Sequence, residues 1–446
     1  MKGKSELSKN YDSLYKTGPN NKHSKEGIFA SLKFPAYRLY FGALLCQMAA
    51  MNMQMISRSW FMYELTDSAT MLGAVGLGSA LPLLTISLYG GVLADRMKKK
   101  TILVTGQFAS AVVALAIALF ITLGTISWVH LFIAAVLQGS AMSLMMPARQ
   151  AIIYELVGED TLMNAIALNT AAINFLRLMA PAFAGFLIAL WSIESVYYIM
   201  FILYLIGTFI ALRLPDTGSS SLGKKRSLKE LKEGLRYIQN NKTVFAILII
   251  TLFTTILSMP YMSLLPIFTK DIFFIDVSAF GRIASWPLVG PLLLSLAESS
   301  ARQGLLISVS GMGALLGSLA VAFMSNRKRG LAFLLSTLLA ALSLICFSAT
   351  NSFMIAIITF IPFGISQAGR MTLSNTLLQS YSEDIYRGRV FSVYIMNWGV
   401  TMIGVFLISI LADLIGVQLA VGGAAGLLAL ITVHFLIYRP LIRRLD

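Results

Sequence analysis

Gly90-Gly91-Val92-Leu93-Ala94-Asp95-Arg96-Met97-Lys98-Lys99-Lys100 lies between two long apolar runs, Met71 to Leu93 and Thr101 to Gly124. A connection this short joins only neighbouring antiparallel helices on one side of a membrane. The paired glycines let the backbones crowd at the turn, and four cations within Arg96 to Lys100 favour the cytoplasmic side. Asp95, an acid among these cations, is the unusual member.

Composition agrees. The chain has 446 residues, 57% of them hydrophobic and only 12% charged, whereas a soluble domain carries about 25% charged residues. It reads as a polytopic helical membrane protein. The net charge of +15 does not point to nucleic acid, because the cations cluster in short loops between apolar runs, as the positive-inside bias requires. Cys46 and Cys346 lie inside apolar runs and suggest neither a disulfide nor a metal site. Met1 to Lys33 is polar and Lys-rich with no apolar core, so 1–33 is expected to be a cytoplasmic tail rather than a cleaved signal peptide.

A crossing needs about 20 apolar residues. On that rule helices are predicted near 36–58, 71–93, 101–124, 127–148, 162–190 and 194–214, then near 244–268, 304–325, 331–349, 352–372, 389–412 and 418–437. The expected fold is an all-α membrane protein with 12 transmembrane helices in two six-helix bundles, at 34–214 and 243–446. The polar stretch 215–242 between them is a linker. In it Ser227 and Glu230 match a capping box, and Leu228, Leu231, Leu235 and Ile238 follow at helical spacing, so a short amphipathic helix is expected on the inner membrane face.

The halves look like repeats. Glu159-Asp160 corresponds to Glu383-Asp384, and Asp95-Arg96 to Asn326-Arg327. The second half carries an insertion near 272–302, whose apolar core, Trp286 to Ala297, is too short to cross and is broken by Pro287, Gly290 and Pro291. It is expected to be an external loop or interfacial segment. The basic loops fall on one side, which places both termini in the cytoplasm.

Polar groups inside hydrocarbon usually face a cavity or another helix. In the first helix Gln47, Met51, Gln54 and Arg58 share one face, flanked by Asn52. Gln138, Met142, Met145 and Arg149 do the same in the fourth, and Thr170, Asn174, Arg177 and Pro181 in the fifth. Gln367, Arg370, Asn375, Asn397 and Trp398 are weaker candidates in the second half. Hydrogen bonding between helices, with no ligand, is the competing reading of each stripe.

The quoted stretch closely resembles the loop between the second and third helices of the major facilitator superfamily, Gly-x-Leu-Ala-Asp-Arg-x-Gly-Arg-Lys, with Lys98 where that pattern has glycine. Trp60 to Ala69, Pro147-Ala148-Arg149-Gln150-Ala151, Asn164 to Asn169 and Arg387-Gly388-Arg389-Val390 resemble one branch of it. That branch holds siderophore exporters of the enterobactin type and macrolide efflux proteins. The likeness runs from about Phe34 to the end, apart from the insertion.

The resemblance implies a gate of Gly91, Asp95 and Arg96 against the start of the eleventh helix at Arg387 and Arg389. It implies a substrate cavity lined from Gln47, Met51, Asn52, Gln54, Arg58, Gln138, Met142, Asn174, Arg177, Gln367, Asn397 and Trp398. The expected activity is secondary active export of amphipathic small molecules, of drug or siderophore class, by alternating access with proton antiport. An importer or a lipid or metabolite porter of the same fold is the alternative. Arg177 in the cavity would favour an anionic or acyl-bearing substrate.

Two departures bear on coupling. Ala135 stands where drug–proton antiporters of the superfamily carry arginine ahead of Gln138-Gly139, and the fifth-helix proline motif reads Ala180-Pro181-Ala182-Phe183-Ala184-Gly185. No carboxylate occupies the middle of a predicted helix, which leaves Asp67 and Asp413 as candidate proton carriers. The expected setting is the bacterial cytoplasmic (inner) membrane, as a monomer, with a small-molecule substrate, the lipid bilayer and a proton as partners. No cofactor, metal or nucleic acid is expected. An enzyme is disfavoured, because His23, His130 and His434 are scattered and no nucleotide-binding or hydrolase motif is present.

Overall fold

The computed structural model describes residues 29–216, 228–275, 294–324, 328–438, 440–443 and 445. Pro35 opens α1 (Pro35–Thr66) at a position where its missing N–H costs nothing. The helix ends at Asp67, whose left-handed φ of 45° terminates it. It therefore runs past the predicted end near 58, and the Trp60 to Thr66 motif is helical rather than a following loop. The next helix, α2 (Ala69–Arg96), absorbs Pro82 and most of the quoted stretch. Only Met97 and Lys98 separate it from α3 (Lys99–Thr122). Gly90 to Arg96 is thus a helix end rather than the expected loop, and the turn is shorter still.

Then comes α4 (Trp128–Leu190), a 63-residue helical stretch broken at Gly158, where φ is 70°. That conformation suits glycine alone, and it divides the stretch into limbs 128–157 and 159–190, the fourth and fifth crossings. The sixth is α5 (Ile193–Leu212). Lys98 and Lys100 reach Asp216, at 2.7 and 3.5 Å, and Lys99 pairs with Glu155. The hydrogen bond from Lys98 and its charge hold Asp216, which lies beyond the membrane spans, below the usual carboxylate range.

The linker helix α6 (Leu228–Asn240) buries Ile238 in an apolar cluster that also holds Val244, Phe333 and Leu377. Ser227, the expected cap, lies outside the described residues. Asn241 caps the next span, α7 (Lys242–Ile272), by accepting from the backbone of Thr243 and Val244. This span is interrupted at Met259-Pro260 and closes in a π-helical turn, Phe268–Ile272. Of the expected insertion, 276–293 lies outside the described residues. Its end is ordered by Arg302, which is buried and donates to the carbonyls of Thr269, Leu296 and Ala297 at 2.6 to 3.1 Å. This cation, expected in an external loop, instead ties α7 to α8 (Ser299–Ala322).

The remaining elements are α9 (Arg329–Ala349), α10 (Phe353–Tyr381), α11 (Asp384–Ile415), α12 (Val417–Tyr438) and the short α13 (Pro440–Arg443). Among the described residues ten helices are long and apolar enough to cross a membrane; the kinked α4 crosses twice, and α2 adds a shorter apolar segment. Twelve crossings result. Small residues set the close packing, as is usual between membrane helices. A Cβ on Gly364 would strike the Ser310 carbonyl, and one on Gly317 would meet the backbone of Ile365, which locks α8 to α10. Phe175, Phe183, Leu316, Leu319 and Leu430 are exposed on the outside, as a lipid-facing surface requires.

Candidate functional site

Two regions connect the halves. The first is a closed face at the α1–α2 turn. Trp60 Nε1 donates to Ser299 Oγ at 2.8 Å, and Gln303 Nε2 to Ser59 Oγ at 3.2 Å. The Tyr63 hydroxyl donates to the Asp271 carboxylate. Lys270 pairs with Glu64 at 3.2 Å and with Asp67 at 2.9 Å, and lies over the Tyr63 ring. Asp413, in the last turn of α11, accepts from the Ser68 hydroxyl and from the backbone N–H groups of Ala69 and Thr70 at 2.8 to 2.9 Å. It caps a helix of the opposite half.

Beneath these polar contacts the backbones nearly touch. A Cβ on Gly304 would lie 2.9 Å from the Pro181 carbonyl, one on Gly185 would run into the Ser300 carbonyl, and one on Gly73 would lie 2.7 Å from Ser409 Cβ. Ser308 donates to the Leu178 carbonyl at 2.7 Å. The two candidate proton carriers therefore sit together in a clasp. Tyr63 falls within the Trp60 to Ala69 motif, but its partner Asp271, like Lys270, Ser299 and Gln303, carried no signal in the sequence, because nothing there pairs residues more than 200 positions apart.

The second region is a cavity between the halves. Arg177 reaches it from α4; Thr251, Thr255 and Met259 from α7; Gln367, Arg370 and Met371 from α10; Tyr394 and Asn397 from α11. The cavity measures about 60 Å³. Met163, Ile166 and Thr170, exposed and at helical spacing from Arg177, extend the same face of α4 toward Gly158. Asn174 is half-buried one turn from Arg177. Arg370 is buried; its Nη2 donates to Gln367 Oε1 at 2.7 Å, while its Nε has no partner among the described residues. Asn397 is buried with Nδ2 likewise unpartnered.

The stripe of α1 is placed differently. Gln47 is buried inside the first half, accepting from Gln107 Nε2 at 3.5 Å and facing Met145 Sδ at 3.4 Å. Asn52 donates to its own helix at the Met48 carbonyl, and Gln54 accepts from the Tyr204 hydroxyl at 3.3 Å. Arg58 donates to Ser79 Oγ at 3.0 Å, and Met51 packs in the core of that half. Gln138 and Met142 are half-buried on α4, Gln138 with its Oε1 unpartnered. Arg149 lines a crevice of about 10 Å³ with Tyr40, Leu44, Gln47 and Gln107.

Of the expected gate, Gly91, Asp95 and Arg96 lie in the last turns of α2, and their side chains are outside the described residues, as is that of Trp398. Arg387 is exposed near the start of α11. Arg389 pairs with Glu233 of α6 at 3.2 Å, which fastens the linker helix to α11.

Residues 26–302 match the family described as transmembrane secretion effector, and 272–445 match the major facilitator superfamily. The chain is 23% identical over 363 residues to the staphyloferrin A transporter of Staphylococcus aureus (81% of this chain, 86% of that one). It is 26% identical over 400 residues to macrolide efflux protein A of Streptococcus pyogenes (87% and 91%), and 24% identical over 361 residues to the enterobactin exporter of Escherichia coli (80% of each). Among solved structures it superposes on a POT family transporter in complex with 5-aminolevulinic acid, with a TM-score of 0.73 and 13% identity over 94% of this chain and 99% of that one. A bacterial homologue of the lysosomal transporter Spinster gives 0.62 and 16% over 94% and 97%. At these identities the structures speak for the fold.

Proposed function

The chain belongs to the major facilitator superfamily, among its transmembrane secretion effectors, and from that premise we propose that this multi-pass membrane transporter exports amphipathic small molecules of drug or siderophore class across the bacterial inner membrane by alternating access, in exchange for protons. The observation that carries the proposal is the pairing of a polar cavity between the halves with a clasp that seals one end of it. With the termini in the cytoplasm, the clasp is the external gate and the Met163 to Arg177 face opens inward. Reversal requires the clasp to part and the Asp95 end of α2 to meet the start of α11. Parting the clasp separates Asp67 from Lys270 and Asp413 from its three donors, so both candidate proton carriers change partners as the outer face opens. The relatives are named for siderophores and macrolides, so they support export and leave the substrate class open.

The test is accumulation of a mixed panel of dyes, macrolides and catecholate siderophores in cells carrying wild type or Asp95→Asn. Lower accumulation of one class in wild type alone supports export. Higher accumulation in wild type would make the protein an importer. In proteoliposomes, an imposed pH gradient that drives no flux of an established substrate would remove the proton from the account.

A further inference from the structure

A buried guanidinium needs a counter-charge or a full set of acceptors, because desolvating a cation costs several kcal/mol when its donors are left over. Arg302 has its acceptors in three carbonyls. Arg370 does not. Gln367 takes one of its N–H groups, no carboxylate among the described residues lies within ion-pair distance, and Nε is left over. Asn397 Nδ2, on the neighbouring helix and lining the same cavity, is a second leftover donor. Arg177 adds a second cation from the opposite half, and none of the cavity's lining residues is acidic.

From this we infer that Arg370 and Asn397 form a binding site for the carboxylate of an amphipathic anion, with Arg177 supplying the field that draws the anion in from the other half. The inference deepens the proposed export function and rests on it for the identification of the ligand as cargo. A guanidinium fork matches a planar carboxylate through two parallel N–H groups. Asn397 Nδ2 adds a neutral donor. Gln367 is a positioning residue: by accepting from Nη2 it fixes the fork. Thr251, Thr255 and Met259 on α7 offer a less polar wall for the rest of the molecule. A basic amine drug meets two cations here and no acid, so the site selects against it. A lipid phosphate shares the oxyanion chemistry, and the experiment separates the two.

The probes are a dansylated fatty acid and its methyl ester, titrated by fluorescence against the purified full chain in neutral detergent. Wild type is expected to bind the acid about tenfold more tightly than the ester, the magnitude of one charge-assisted contact. Arg370→Met is expected to abolish that preference while leaving the ester unchanged. Because it removes an uncompensated buried charge, it should also raise the midpoint of thermal unfolding without ligand. Asn397→Leu serves as a second variant and should reduce the preference about threefold, as loss of a neutral hydrogen bond does. Equal binding of acid and ester, no binding of either, or a preference that survives Arg370→Met would overturn the site. Displacement of the acid by equimolar phosphatidylglycerol but not phosphatidylcholine would assign it to lipid instead. If the preference is present but neither probe crosses proteoliposomes, the site stands and the export reading falls.

Discussion

Each half holds a buried or largely buried arginine on corresponding helices, Arg149 in the first limb of α4 and Arg370 in α10, and the two differ in what surrounds them. Arg149 lies in a crevice of about 10 Å³ inside its own bundle, walled by Tyr40, Leu44 and Leu103. Such a space holds one water at most. Arg370 borders about 60 Å³ between the halves, shared with Arg177 and Asn397. Both retain an unpartnered N–H, so an unsatisfied donor alone does not mark a binding site. The donor must also face room that a ligand can enter.

The comparison breaks most completely if the cavity cannot be sealed at its far end. Gly304→Val places a branched side chain where even a Cβ lies 2.9 Å from the Pro181 carbonyl. Transport in proteoliposomes is expected to fall to background while the protein still inserts and elutes as a single species. Unchanged transport would mean that this face never closes during turnover.

Next in size is the direct contrast. Arg370→Met should lower the initial transport rate of an anionic substrate about tenfold or more, whereas Arg149→Met should leave it within about twofold, because only the first removes a charge-assisted contact to cargo. A smaller effect is expected at the helix cap. Asp413→Ala removes three accepted hydrogen bonds from the start of α2 and about 1 kcal/mol of stabilisation from the closed face. The outward-facing population, read by labelling of a cysteine at Ser59, should rise about fivefold. Lys270→Met should change the same population less, by about threefold at most, and the change should shrink in high salt, since its pairs with Glu64 and Asp67 are partly exposed.

The sequence was most readable where one periodicity decides the outcome. Apolar run length located the crossings, and the quoted basic stretch marked the tight turn between α2 and α3, although Gly90 to Arg96 continues the helix instead of leaving it. Stripes were readable as stripes but not as faces toward a particular neighbour. Gln47 and Gln54 share a side of α1, and that side turns into the first bundle, where Gln107 and Tyr204 answer them. The same rule applied to α4 does lead to the cavity, at Arg177. Arg370 stood among the weaker candidates, yet it borders the cavity with a donor left over, a feature that appears only once three helices have come together without an acid among the described lining residues. The clasp was invisible for a similar reason: Tyr63 meets Asp271, and Ser68 meets Asp413, only once the halves have docked.

The most direct test uses the two arginine environments as each other's control. In a background lacking Cys46 and Cys346, cysteine is introduced at Met371, beside Arg370, or at Leu44, beside Arg149. Each variant is then treated with an anionic sulfonate thiol reagent or its neutral amide analogue. The account predicts labelling at position 371 only, with the anionic reagent reacting about tenfold faster than the neutral one as the local positive field attracts it. Labelling at position 44 at a comparable rate, or no preference for the anion at 371, would contradict it.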